Sequence, residues 1–343
     1  MKNIVFLLPC FALFLFSNCA EAQPPQPASA RIAFYNTENL FDTINNRNVI
    51  DEEFLPDGKM KWTKQRYEKK LAQLSKVILE IGNGSGPEII GLCEVENKGV
   101  LVDLTQKTPL KKQKYGIVHY DSPDNRGIDV ALLYKKSAFR VLESKPFIVP
   151  QPSDTLPPTR SILYVKGILG KNDTLCIFVN HWPSRRGGPE ESAPRRIMAA
   201  KYLKQLTDSV MKAVPGAQVV AIGDFNDEPT DASLQSIAHA VNDSTSPGLR
   251  NMMSTIDAQG EGTHYYRKEK NTFDQILVSN NLFGKRGYYV TTTSAHIFKP
   301  EWIMGENYKG DPPAPLRTYA GSRYIGGYSD HLPVYIDLYL AKK

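Results

Sequence analysis

Several runs of this chain are apolar at consecutive positions, among them "EIIGLCEV" (88–95), "LCIFVNHW" (175–182) and "AQVVAIGDF" (217–225). Side chains alternate between the two faces of a strand, so a strand apolar at every position must be covered from both sides. "RIAFYN", "IDVALLY", "SILYVKGIL", "FDQILVS" and "PVYIDLYL" are of the same kind, rich in Val, Ile, Leu and Tyr and bounded by turn residues. Helical periodicity is confined to two long stretches. In "KWTKQRYEKKLAQLSKVILEI" the residues Tyr67, Leu71, Leu74, Ile78 and Ile81 form one apolar stripe. The other stretch is "APRRIMAAKYLKQLTDSVMKAV", where Arg195 and Arg196 open the helix and are expected to face solvent. Many strands buried on both faces and few long helices predict an α/β (α+β) chain of two sheets packed face to face, with helices outside. No repeat and no second linker interrupts the alternation, so residues 30–343 read as one domain. Residues 298–327, aromatic and rich in Gly and Pro, read as a functional rim.

The chain opens on Lys2, an apolar run "IVFLLPCFALFLF" and a polar exit "SNCAEAQ". That pattern predicts a signal peptide over 1–22, cut after Ala20-Glu21-Ala22, with a linker over 23–29 and export to the periplasm or beyond the cell. The alternative is a lipoprotein anchored at Cys19. The run is too short and wrongly flanked for a stable membrane span, and no later stretch is long enough to cross a bilayer. Cleavage removes one Lys and one Glu, so the net charge of +6 is unchanged and suits a polyanionic or phosphorylated substrate. Only Cys93 and Cys176 remain, both inside strand-like runs, and they are expected to be buried free thiols rather than metal ligands.

The ends of the apolar runs carry the chemistry. Asn36 closes the first, Glu94 lies near the end of the second, and Asn180 and His181 close "LCIFVNH". Asp224 and Asn226 follow "VVAIG", Asp274 opens "DQILVS", and Asp330 and His331 stand before a last strand expected from Leu332. Carboxylates beside such strands cost several kcal/mol unless each is paired or binds a cation. One shared site assembled from at least six segments accounts for all of them. Carboxylate, amide and imidazole donors without a thiolate cluster suit Mg²⁺ or Mn²⁺. The same groups can activate a water, neutralise phosphoryl oxygens and stabilise a leaving oxygen. A G-x-S-x-G elbow, a G-x-x-x-x-G-K-[ST] loop and an H-E-x-x-H helix are all absent, which removes the acyl-transfer, nucleotide-loop and zinc-peptidase readings.

In order and spacing, "NTENLFD", "GLCEVEN", "RGIDVALLY", "VNHWPSRRGG", "GDFND", "FDQILVS" and "SDHLP" resemble the endonuclease/exonuclease/phosphatase superfamily over nearly the whole chain after the leader. The resemblance implies a four-layered αββα sandwich, two packed mixed sheets flanked by helices, with the site at one edge of both sheets. It implies Glu94, Asn36 and Asp330 as metal positions and His331 at the scissile phosphate with Asp274 fixing its tautomer. It further implies Asp224 on the attacking water, Asn226 on the phosphate, and His181 donating to a phosphoryl or leaving oxygen. Arg126, Arg185 and Arg186 are candidate phosphate clamps. The expected activity is Mg²⁺- or Mn²⁺-dependent hydrolysis of phosphodiesters by metal-activated water, in a monomer acting on nucleic acid. The alternative is a phosphomonoesterase or a phospholipid or inositol-phosphate hydrolase on the same fold. A non-catalytic binding module has no need of the full residue set.

Overall fold

A computed structural model describes residues 27–245, 248–284, 286–307 and 311–342. The leader expected over 1–22 and most of the linker lie outside the described residues. Strand β1 (Ala30–Leu40) pairs in parallel with β2 (Ile89–Val95), which pairs antiparallel with β4 (Asp129–Lys135); β3 (Tyr115–His119) closes that edge. On the other side of β1 lies the last strand, Val334–Leu340, antiparallel to it. The second sheet runs from β5 (Phe139–Phe147) through β6 (Ile162–Leu169) and β7 (Asp173–His181) to β8 (Gln218–Asp224) and the strand Asp274–Ser279. Here too a parallel pair, β7 with β8, is flanked by antiparallel neighbours. Each sheet therefore has two adjacent strands that end at the same edge.

Side-chain alternation produces the layers. Ile32, Phe34, Val130 and Leu132 of the first sheet meet Val165, Ile177, Val179, Val220 and Ile222 of the second in one apolar cluster between them. The opposite faces are covered by helices. Leu71, Leu74, Ile78 and Ile81 of α1 (Lys64–Ile81) pack on Ala33, Tyr35, Ile90 and Leu92. Ala199, Ala200 and Leu203 of α3 (Pro189–Ala213) pack on Phe178, Val219 and Ala221. The result is α-β-β-α, as the doubly apolar strands require. Each large aliphatic or aromatic residue buried this way contributes roughly 1.5–3 kcal/mol relative to exposure. Gly91 sets the sheet spacing: a Cβ there would stand 2.7 Å from Ile222 Cδ1 and 3.1 Å from Val179 Cγ1. The pair Cys93 and Cys176 are buried free thiols, and burial pushes both above their ordinary pKa.

Thr63 caps α1 by accepting from the Arg66 N–H, so that helix starts three residues later than its amphipathic pattern. Helix α3 instead begins at Pro189, four residues before the expected start. The packing of α3 on the sheet corrects the solvent-facing assignment of Arg196, which is 1% exposed. Arg196 lies in the second turn facing the sheet, with Nε 2.6 Å from Asp227 Oδ1. The short helix α2 (Lys98–Gln106), β3 and β5 carry no strong periodicity and were not expected. The described part of the 298–327 segment is held against α1. Trp302 receives Lys76 over its ring, Gln73 donates to the Gly326 carbonyl, and buried Lys70 donates to Thr318 Oγ1 and the Tyr328 carbonyl.

Candidate active site

The parallel pairs bring their ends together. β1 and β2 deliver Asn36 and Glu94, β7 and β8 deliver His181 and Asp224, and the neighbouring antiparallel strand begins at Asp274. His181 and Asp274 are both register partners of Asp224. Glu94 owes its direction to a bulge. In the pairing of β2 with β4, Cys93 faces Val130 and Val95 faces Asp129, leaving Glu94 as the extra residue with φ +58°. A left-handed non-glycine residue costs on the order of 1–3 kcal/mol and re-aims its side chain. β1 carries a matching irregularity at 37–39, where Glu38 and Asn39 have φ of +50° and +56°. The first strand therefore continues past Asn36, its expected end, through a second bulge. The Asn39 N–H donates to Glu94 Oε2 at 2.9 Å and ties the two bulges together.

Asp224 is the centre. Asn36 Nδ2 donates to its Oδ2 at 3.0 Å and the Asn226 N–H to its Oδ1 at 2.9 Å. His181 Nε2 and His331 Nε2 each stand 3.8 Å from Asp224 Oδ2, and His181 Nε2 is 3.9 Å from Glu94 Oε1. His331 is clamped from behind, with Nδ1 2.7 Å from Asp274 Oδ2, and its backbone N–H donates to Ser329 Oγ. Burial opposes charge on His331, but Asp274 and Asp224 outweigh it and hold the imidazole well above the usual range. Across the site, burial and then Arg160 and Arg126 hold His181 well below it. One histidine is thus kept cationic and the other neutral, by the charges each one faces.

The remaining candidates divide. Asp330 accepts from Arg317 Nη2 at 3.2 Å, and burial notwithstanding, the nearby cations hold its pKa low. Arg185 is drawn inward: Nε donates to the Asn226 carbonyl, Nη2 to Asp227 at 3.1 Å and also to Asp231, and the guanidinium lies over Phe273. Arg126 and Arg186 are exposed and lie on a cleft beyond His181. Sequence reasoning did not single out His264, whose ring lies 4.8 Å from that of His331, because it sits on a three-residue strand without pattern. Nor did it single out Asp227, although that residue directly follows "GDFN" and anchors Arg185 and Arg196.

The donors fit a hard divalent cation. Among the described residues, Glu94 Oε1 accepts no hydrogen bond, and Asp274 Oδ1 is buried without a partner. Asn36 supplies an amide oxygen whose one hydrogen bond, from the Glu38 N–H, leaves a lone pair. The Cys93 thiol also lies near His181 and Asp224, but its raised pKa keeps it protonated and unsuited as a ligand.

Burial is also the first cause that pushes Glu38, Glu96, Asp224 and Glu228 each up to about 7. A carboxyl whose folded pKa lies above its unfolded value binds more protons when folded, so stability is lost as pH rises through about 7. His181 and His264, held neutral, cost stability as pH falls below about 6.5, where the unfolded imidazoles take up protons, so above that pH they oppose the trend only slightly. In EDTA the urea midpoint is therefore expected to be lower at about pH 8.5 than at about pH 6.5. A midpoint that rises over that interval contradicts the assignment, and Glu228→Gln should flatten the fall.

Residues 31–342 match the Endonuclease/Exonuclease/phosphatase family. No curated protein matches the sequence. Among solved structures, the human Nocturnin catalytic domain with bound sulfate is similar at 19% identity and a TM-score of 0.53, covering 91% of this chain and 94% of that one. Truncated Caenorhabditis elegans TDP2 is similar at 15% identity and 0.54, covering 90% and 97%. A mannosyl-6-phosphatase from Bacteroides thetaiotaomicron is similar at 15% identity and 0.53, covering 91% and 100%. At these identities the likeness is one of fold.

Proposed function

Because the chain belongs to the endonuclease/exonuclease/phosphatase family, whose members are hydrolases acting on phosphate esters, we propose that it is a divalent-metal-dependent phosphodiesterase that cleaves nucleic acid. The observation that carries this reading is the Asp274–His331–Asp224–His181 row, closed by Glu94, at the shared edge of both sheets. Asp224, held on both oxygens by Asn36 and Asn226, orients a water and accepts its proton. His331, oriented by Asp274, donates to a phosphoryl oxygen, and His181 steadies the leaving side. Glu94, with Asn36 and Asp330, would hold Mg²⁺ or Mn²⁺, which when bound neutralises phosphoryl charge and lowers the pKa of water. A diester has a group on each side of phosphorus, and space opens on both flanks, beside Asp330 and beyond His181. Export rests on the leader segment Met1–Ala22, and N-terminal sequencing for a mature chain beginning at Gln23 tests it.

The deciding assay is cleavage of plasmid and oligonucleotides with Mg²⁺ or Mn²⁺. EDTA should abolish it, and Glu94→Ala should lower it at least about a hundredfold while weakening Mn²⁺ binding measured by titration calorimetry. Cutting that survives both treatments would sink the mechanism. A second reading, a phosphomonoesterase or an inositol-phosphate hydrolase, draws on a pocket of about 180 Å³ beside Asp330, lined by Glu38, Asn39, Arg317 and Thr318. That pocket is small and polar, as a single sugar ring would need. Release of phosphate from sugar or inositol phosphates by a protein inert to nucleic acid decides for it.

A further inference from the structure

A cleft of about 400 Å³ opens beyond His181, walled by Arg126, Arg160, Arg186 and Arg195 against the two acids Asp124 and Glu191. Four guanidinium groups and two carboxylates leave a formal excess of two positive charges. Arg160 is the fixed wall. It is 6% exposed, its Nε donates to the His181 carbonyl at 3.2 Å and its Nη1 to Asp124 Oδ2 at 3.1 Å, while Nη2 donates to the Trp182 carbonyl. Those bonds use three of its five N–H groups. Arg195 is braced by Gln151 Oε1 and the Pro157 carbonyl, both at 3.0 Å, which among the described residues leaves its Nη1 unused. Burial and the nearness of Arg160 push the pKa of Arg195 down, the mark of cations crowded together.

The other two arginines are unspent. Arg126 Nε stops 3.7 Å from Asp124, and Arg186 has no hydrogen-bond or ion-pair partner among the described residues. Guanidinium forks with N–H donors to spare match the oxygens of a phosphate. The cleft is linked to the reacting groups through Arg160, which donates to the His181 and Trp182 carbonyls, and Arg160 and Arg126 both act on the His181 imidazole.

We propose that this cleft seats a second phosphate of the substrate, a neighbour along a polynucleotide strand of the phosphate that is cut. The inference rests on the phosphodiesterase reading above and narrows it. A sugar monophosphate or a lone diester carries one phosphate and leaves these arginines idle, whereas a strand always supplies a flanking one. Arg160 and Arg195 give the cleft its shape, and Arg126 and Arg186 close on the anion from its open side.

The test compares the full chain with Arg126→Ala/Arg186→Ala, two exposed side chains whose truncation leaves the core intact. On a thymidylate oligonucleotide kcat/KM should fall at least about tenfold further than on bis-p-nitrophenyl phosphate, which has no second phosphate. Equal losses on the two substrates overturn the proposal. Binding of a fluorescein-labelled thymidylate oligonucleotide in EDTA, followed as salt is raised, reads the cleft without turnover. The slope of log K against log salt should be shallower by about 0.7 in the variant, the share of one single-strand phosphate that is no longer neutralised. An unchanged slope also overturns it, as does a wild-type chain that hydrolyses sugar phosphates yet neither binds nor cuts the oligonucleotide. A shallower slope in a protein that hydrolyses no diester upholds the cleft and fails the phosphodiesterase reading alone.

Discussion

Replacing His331 by alanine is expected to lower kcat on a phosphodiester by about a thousandfold, within the 10²–10⁴ that a positioned acid–base group supplies. Three neighbours hold this residue in a single orientation, with the Ser329 hydroxyl on its N–H, Asp274 on Nδ1, and Asp224 facing Nε2. His331 is buried against Asp274 and Asp224, so the variant should also unfold at a lower urea midpoint, and its kcat is compared under conditions where both proteins are folded. Asp274→Asn provides the discriminating companion. It keeps an oxygen for Nδ1–H but removes the anion that most raises the imidazole pKa. The alkaline limb of the pH–rate profile should therefore move to lower pH, with a smaller loss of rate at pH 6 than at pH 8. A merely structural His331 would leave that limb in place. More than a tenth of wild-type kcat in His331→Ala would remove the residue from the mechanism.

Asp227→Ala is expected to cost about 3–5 kcal/mol of stability, the usual effect of stranding a buried charge. Asp227 is 4% exposed and faces Arg196, itself 1% exposed, at 2.6 Å. It also accepts from Ser233 Oγ at 2.6 Å and from Arg185 at 3.1 Å. Loss of the carboxylate leaves Arg196 between α3 and the sheet with no counter-charge. Replacing both partners with apolar residues of similar size, Asp227→Leu with Arg196→Met, should recover more than half of the loss, because the charge that needed solvation is gone. Urea denaturation measures both variants. An Asp227→Ala midpoint within about 1 kcal/mol of wild type would mean that water or another acid already serves Arg196.

The strands that enclose the core were legible because period-two positions and doubly apolar runs leave few alternatives. "AQVVAIGDF" and "LCIFVNHW" became β8 and β7 within two residues of the expected bounds. Elements that carry weak or mixed patterns were not legible. β5 is exposed along much of one face, and the short pieces near 238–240 and 249–251 take their strand character from pairing. Arg196 shows the limit most clearly. Two adjacent arginines at the start of a helix look alike in sequence, and only the packing of α3 on the sheet turned one of them onto Asp227 and left the other on the cleft.

From the sequence alone came the residue types and their places at strand ends, because apolar strands leave polar groups only at their mouths. It also bounded the chemistry, since oxygen and imidazole donors without thiolates restrict the ion and the reaction. The tertiary structure decided which of those ends meet. Two parallel strand pairs in facing sheets bring Asn36, Glu94, His181 and Asp224 to one edge across 188 residues of chain between Asn36 and Asp224. It also decided direction: a bulge at Glu94, a clamp on His331 and the withdrawal of Arg185 into Asp227 are consequences of register and packing. Local sequence does not encode such contacts, since each depends on which distant segment arrives beside it.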